Sequence, residues 1–200
     1  MLAIMCARVK AMSPDERRAD LIAATLPLLL EHGRETTTKQ IADAAGIAEG
    51  TIFRVFDSKH DLIQAALTTA MDFEPFLKDL RTIDPDQGLR GVLLDICTHF
   101  QIRFRGIFAL MSRMGLVQPL ESRRHTAEHR RQAGLILEGL VEPYADQLTC
   151  TPDHLVQLVR LLTFSGTHPH ISDGVTLTPD TIVSVVLDGV LVDGLSREDS

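Results

Sequence analysis

Residues 36–62 read TTTKQIADAAGIAEGTIFRVFDSKHDL, two short helical patterns set around Ala45-Gly46-Ile47. Thr37 followed three residues later by Gln40 is the pattern of a capping box, which satisfies free amides at a helix start. Ile41, Ala42 and Ala45 give that helix a small apolar face, and Gly46 can take the left-handed conformation that turns the chain. Ile47 drops into the junction. A second helix is predicted over 49–56, with Ile52 and Phe56 inward, and Ser58 with Asp61 marks another start. Small alanines let two helices cross closely and steeply, which is helix-turn-helix geometry with the second helix across a DNA major groove. The same spacing suits a plain helical corner of any all-α protein. Gly50, Thr51 and Arg54, however, keep the outward face small or hydrogen-bonding, which fits a groove better than a core. Ala48 is a poor N-cap, where Ser or Thr would serve better.

Working outward, Ser13-Pro14-Asp15-Glu16 is a strong helix start, and Leu21, Ile22, Leu26, Leu29 and Leu30 recur at helical spacing up to Gly33. Pro27 lies inside that pattern and predicts a kink. On the other side, residues 58–80 read as one helix with Leu62, Ile63, Ala66 and Leu67 on a face, kinked or ended early at Pro75.

The run T-x-x-x-I-A-x-x-A-G-I-x-x-G-T-I-F-x-x-F-x-S-K-x-x-L resembles the DNA-binding signature of the TetR family of transcriptional regulators. It is carried by Thr37, Ile41, Ala42, Ala45, Gly46, Ile47, Gly50, Thr51, Ile52, Phe53, Phe56, Ser58, Lys59 and Leu62, within about the first third of the chain. The resemblance implies an all-α fold: a flexible arm over 1–12, a three-helix DNA-binding domain over 13–71, and a larger helical effector-binding and dimerisation domain over 72–200. It implies phosphate contacts from Thr37 and Lys59, and a close approach to the groove at Gly50 and Thr51. Where relatives often carry Tyr, this chain has Phe53, which has no hydroxyl to offer a phosphate, so that contact can only be apolar. Chemistry alone nominates Arg54 for a base edge and Lys39 for a phosphate. Thr38 and Glu49 complete the expected DNA-contacting set.

Composition bounds the rest. The 200 residues are 44% hydrophobic, with few aromatics and no Trp, so a folded core of aliphatic side chains is expected. Cys6, Cys97 and Cys150 are widely spaced and odd in number, which suits a reducing cytoplasm rather than a disulfide framework. MLAIMCARVKAM lacks the order of a signal peptide, and no run reaches the roughly 20 apolar residues of a membrane span. The net charge is −7, but residues 1–60 hold eight Lys/Arg against eight Asp/Glu, while residues 61–200 hold twelve against nineteen. The acidic excess therefore lies wholly in the C-terminal part, and a neutral N-terminal module can still meet a polyanion through placed cations.

In that C-terminal part, helices are expected over 89–114 (with Gly106 a possible division), 121–148, 152–164 and 178–194. The helices beginning at Pro152 and Thr178 are apolar around much of their circumference. Leu155, Leu158, Val159, Leu162, Ile182, Val183, Val186 and Val190 are accordingly expected at a homodimer's four-helix interface. Phe100, Phe104, Phe108, Met111, Met114 and Phe164 are candidates for an apolar effector pocket, with Asp95 and His99 placed to orient a ligand; the same spacing suits an ordinary core. His125 and His129 lie four apart among arginines and His168 and His170 share a loop, so no metal site is expected. No catalytic or cofactor motif is present.

The expected function is a homodimeric repressor, released from a palindromic double-stranded operator by a small apolar molecule. Two other readings stay open at this stage. One is an all-helical enzyme using Asp95 with His99, the other a constitutive DNA-organising protein without an effector.

Overall fold

The computed structural model describes residues 13–116 and 123–190, with side chains of the second stretch from residue 127 onward. The expected N-terminal arm, the loop at Gln118-Pro119 and the end of the last helix lie outside the described residues. Every regular element described is helical, and the chain divides into two compact units between Ala70 and Met71.

Among its described residues, the first unit holds three α-helices, a short 3₁₀ turn over Gly33–Glu35 and a second 3₁₀ segment. Helix α1 spans Pro14–His32. The Ser13 hydroxyl accepts from the Glu16 amide at 3.2 Å, and the Glu16 carboxylate accepts from the Ser13 amide at 2.7 Å. Leu21, Thr25 and Leu29 line its buried face at intervals of four, and buried Thr25 is satisfied by donating to the Leu21 carbonyl at 2.7 Å. The α-helical pattern continues through Pro27, whose side is exposed, and ends at Gly33 with φ 58°. Helix α2 spans Thr38–Ala45 and starts with the expected Thr37–Gln40 capping box. Gly46 (φ 65°, ψ 35°) then turns the chain left-handed, as its lack of a Cβ permits.

The segment Glu49–Arg54 is 3₁₀ rather than the α-helix expected over 49–56. Thr51 donates to the Ala48 carbonyl and Val55 to that of Ile52, both three residues back. Gly50, Thr51, Ile52, Phe53 and Val55 are indifferent helix formers, and Ala48 makes no side-chain cap, so nothing opposes the tighter winding. Helix α3 follows over Lys59–Ala70, its start held by the Ser58 hydroxyl, which accepts from the Asp61 amide at 3.1 Å. Leu21, Ile41, Ala42, Ile52, Phe56 and Leu62 close the core of this unit. Each of the Leu, Ile and Phe side chains among them contributes about 1.5–3 kcal/mol.

The helix expected over 58–80 is two helices in the structure. Helix α3 stops at Ala70, and α4 spans Glu74–Leu80 with Pro75 in its first turn, where its missing N–H costs nothing.

The second unit begins at Met71. Arg103 bridges its opening turn, donating to the carbonyls of Met71 and Asp72 at 3.0 and 2.8 Å while its guanidinium lies 3.8 Å over the Phe73 ring. Helix α5 spans Gly88–Met114 without a break at Gly106. Helix α6 spans Arg123–Val141, and Pro143 converts the remainder of the expected helix into a 3₁₀ turn over Glu142–Gln147. From that turn, the Tyr144 hydroxyl accepts from the Gly88 amide at 3.1 Å and so fixes the start of α5. Helix α7 spans Pro152–Thr167, three residues beyond the expected end, and α8 spans Pro179–Val190.

Between α7 and α8 the loop folds back. Leu177 donates to the Gly166 carbonyl at 2.9 Å, and a Cβ on Gly166 would meet the Leu177 side chain at 2.9 Å, so glycine permits this approach. Gln101, 2% exposed, donates to the Leu177 carbonyl at 2.6 Å from within the core. In the first turns of α8, Arg90 of α5 reaches Asp180 at 2.6 Å and Ser184 at 3.1 Å.

Candidate nucleic-acid interface

The first unit sorts its residues by face. Ile41, Ala42, Ile52 and Phe56 point into the core, whereas Lys39, Glu49, Gly50, Phe53 and Arg54 are exposed. Thr38, Thr51 and Lys59 are half-buried at the same three elements. Among the described residues, no ion pair engages Lys39, Arg54 or Lys59, so their charges remain available to an anion. The Thr37 hydroxyl accepts from the Gln40 amide and caps the α2 N-terminus, where the helix dipole favours an anion.

Two features at this face are not visible in the spacing. The Thr38 hydroxyl donates to the Glu49 carboxylate at 2.5 Å, joining the start of α2 to the start of the 3₁₀ segment. The Arg18 guanidinium lies over the Phe56 ring and seats the other end of that segment on α1. Both pairs are distant in sequence, and neither residue type announces its partner.

Gly50 and Phe53 are unusual for a surface. Gly50 has an ordinary φ, and a Cβ placed on it would meet nothing within 4 Å. The fold therefore does not require glycine there. Phe53 is 50% exposed, a large apolar group left uncovered by its own unit.

The second unit brings the aromatic candidates together. Phe100, Phe104 and Phe108 stack along α5 with ring centres 5.5 and 6.0 Å apart. Phe164 of α7 meets Phe104 and Phe108 edge-on at 5.3 and 5.2 Å, and His168, absent from the sequence-based set, packs 4.5 Å from Phe108. Phe100 and Met114 are buried, while Phe104, Phe108, Met111 and Phe164 are half-buried. Burial in the same core pushes the Cys97 thiol above its ordinary range, partly offset by the Thr163 hydroxyl 3.5 Å away.

Asp95 and His99, expected to orient a ligand, lie half-buried on α5. Asp95 accepts from the Gln87 amide at 2.7 Å, because Gln87 at the end of the preceding turn reaches it first, and His99 joins none of the described ring contacts. The His125–His129 spacing involves a side chain outside the described residues. Among the described residues, no three His, Cys, Asp or Glu converge as for a metal ion, and no helix is long and apolar enough to cross a membrane.

The residues expected at an interface divide between core and surface. Leu155, Val159, Ile182, Val183, Val186 and Val190 pack inside their own unit, each 7% exposed or less. Helix α7 packs against α5, α6 and α8, and α8 against α5 and α7, so the greasy circumference is largely used within one chain. What remains outward is Leu158, half-buried, with Leu161 at 45%, Leu162 at 37% and Val185 at 62% exposure.

Comparison with known proteins agrees with the division into units. Residues 21–66 match the family described as bacterial regulatory proteins, tetR family. The uncharacterized HTH-type transcriptional regulator YvkB of Bacillus subtilis is 43% identical over 58 residues, which are 28% of this chain and 30% of that protein. The aligned stretch thus spans under a third of that relative's length. Over the whole chain the similarity is one of fold. A TetR transcription regulator from Haloarcula marismortui superposes with a TM-score of 0.63 at 18% identity, over 89% of this chain and 100% of that one. SmeT of Stenotrophomonas maltophilia, in its triclosan complex, gives 0.56 at 18% identity over 92% and 98%. Through residues 21–66 of its N-terminal helices, the chain is similar to the tetR family of bacterial regulatory proteins.

Proposed function

We propose that the chain is a homodimeric, ligand-responsive transcriptional regulator, acting as a repressor in the cytoplasm on a palindromic operator. The observation that carries this reading is the face formed by α2 and the 3₁₀ segment. There, exposed cations, an exposed Phe and an unobstructed glycine sit on a rigid helix-turn-helix core. Lys39, Lys59 and the α2 N-terminus would position the domain on phosphates, and Arg54 would reach a base edge. Two copies would be joined through Leu158, Leu161, Leu162 and Val185, the apolar surface that α7 and α8 leave uncovered.

The half-buried rings of Phe104, Phe108 and Phe164 support a mostly apolar or aromatic effector in the second unit. SmeT is described as the repressor of a multidrug efflux pump and has been captured with triclosan, which is consistent with that class. Such an effector releases DNA only if it binds the non-reading arrangement of the dimer more tightly than the reading one. Selection from a random duplex pool tests the reading. It should return a two-fold symmetric site that light scattering shows occupied by two or four chains. An unordered pool would reject it.

A further inference from the structure

We infer that Glu49 reads the operator directly and selects cytosine at one position of each half-site. The inference rests on the DNA-binding reading above and adds a specificity-determining residue to it. Glu49 opens the 3₁₀ segment, is exposed, and stands among groups suited to a polyanion. A carboxylate on such a face opposes binding through repulsion by phosphates. Among the described residues nothing neutralises it: its partner is the Thr38 hydroxyl, not a cation, and none of the described ion pairs includes it.

The contact with Thr38 also fixes where the charge points. Thr38 is the first residue of α2 and Glu49 the first of the segment, so the hydrogen bond spans the turn and holds the carboxylate in one rotamer. Oε1 is engaged by Thr38, which leaves Oε2 as an acceptor without a partner among the described residues. Two bases offer a donor in the major groove, cytosine through N4 and adenine through N6. Adenine places its N7 acceptor beside that donor and repels a carboxylate, whereas cytosine has no acceptor there, so Glu pairs with cytosine. Gly50, next in the chain and without a side chain, leaves room for the base edge to approach.

Repeating the pool selection with Glu49→Ala and Glu49→Gln tests this, alongside anisotropy on random duplex. For Glu49→Ala, cytosine preference at one position per half-site should fall by roughly 5- to 100-fold. Affinity for random duplex should hold or rise, because a negative charge has left the face. Glu49→Gln keeps an acceptor for Thr38 and should move the preference at that position to adenine. An unchanged motif in both variants would overturn the inference, as would an equal loss at every position with a lowered melting temperature, the signature of a purely structural pin. If the unaltered protein selects no motif, the failure lies with the DNA-binding reading itself.

Discussion

The guanidinium of Arg18 lies 4.3 Å from the ring centre of Phe56, tying α1 to the residues that follow the 3₁₀ segment. Phe56 is 3% exposed and closes the small core beneath that segment, so the cation covers the one ring that holds the segment in place. Replacing Arg18 with Leu should lower the unit's stability by about 0.5–1 kcal/mol, as for an exposed cation–π contact. The salt dependence of DNA binding should stay the same, since Arg18 is engaged by the ring and not by a phosphate. A slope reduced by roughly one charge, about 0.9 in log–log terms, would instead place it on DNA.

Gly50→Ala separates stability from binding. With an ordinary φ and open space around its Cβ, alanine should leave stability unchanged or raise it by roughly 0.4–1 kcal/mol. DNA affinity should drop nonetheless, because the added methyl meets the approaching duplex. Urea melts and anisotropy on the same sample give both numbers, and affinity equal to that of the unaltered protein would show that no surface approaches closely there.

Two valines of α8 should respond oppositely to the same change. Val185 is 62% exposed and Val183 fully buried. Val185→Asp should cost about 0.5 kcal/mol or less in the folded subunit, yet split the dimer. Val183→Asp should unfold the second unit, because a carboxylate would be buried without a partner. Light scattering and circular dichroism distinguish the two, and a dimeric Val185→Asp protein would move the interface elsewhere.

Acid should loosen the start of α1. The backbone amide of Ser13, and then its hydroxyl, hold the Glu16 carboxylate below its ordinary range. A depressed value contributes stability that is present above the unfolded-state pKa and lost as pH falls through the folded one. The stability difference between the unaltered protein and Glu16→Gln should therefore be largest near neutrality and shrink in acid. A difference that stays constant down to pH 3 would contradict the capping box.

The reading head was legible because its determinants are local. Ser13, Thr37, Gly46 and Ser58 act within a few residues of themselves, so capping and turn chemistry declare them in one dimension. The shortening of 49–56 into a 3₁₀ segment was foreshadowed only by Ala48, whose side chain cannot cap. Arg18–Phe56, Thr38–Glu49 and Arg103 over Phe73 join residues far apart in the chain, and no periodicity announces such partners. The split of 58–80 followed Pro75, which the pattern marked without choosing between a kink and a stop. Which residues of α7 and α8 face outward was hidden for a different reason. An all-round apolar helix shows that it is covered but not by what, and here α5 and α6 of the same chain do most of the covering.

The central claim is that the first unit recognises a particular DNA sequence. Fluorescence anisotropy of the full chain on its own gene's upstream DNA, against random duplex of equal length over a salt series, tests it most directly. Selective binding should persist as salt weakens both complexes, with specific affinity exceeding non-specific by about 10³-fold or more. Equal affinity for the two duplexes at every salt concentration, or no binding at low salt, would contradict it.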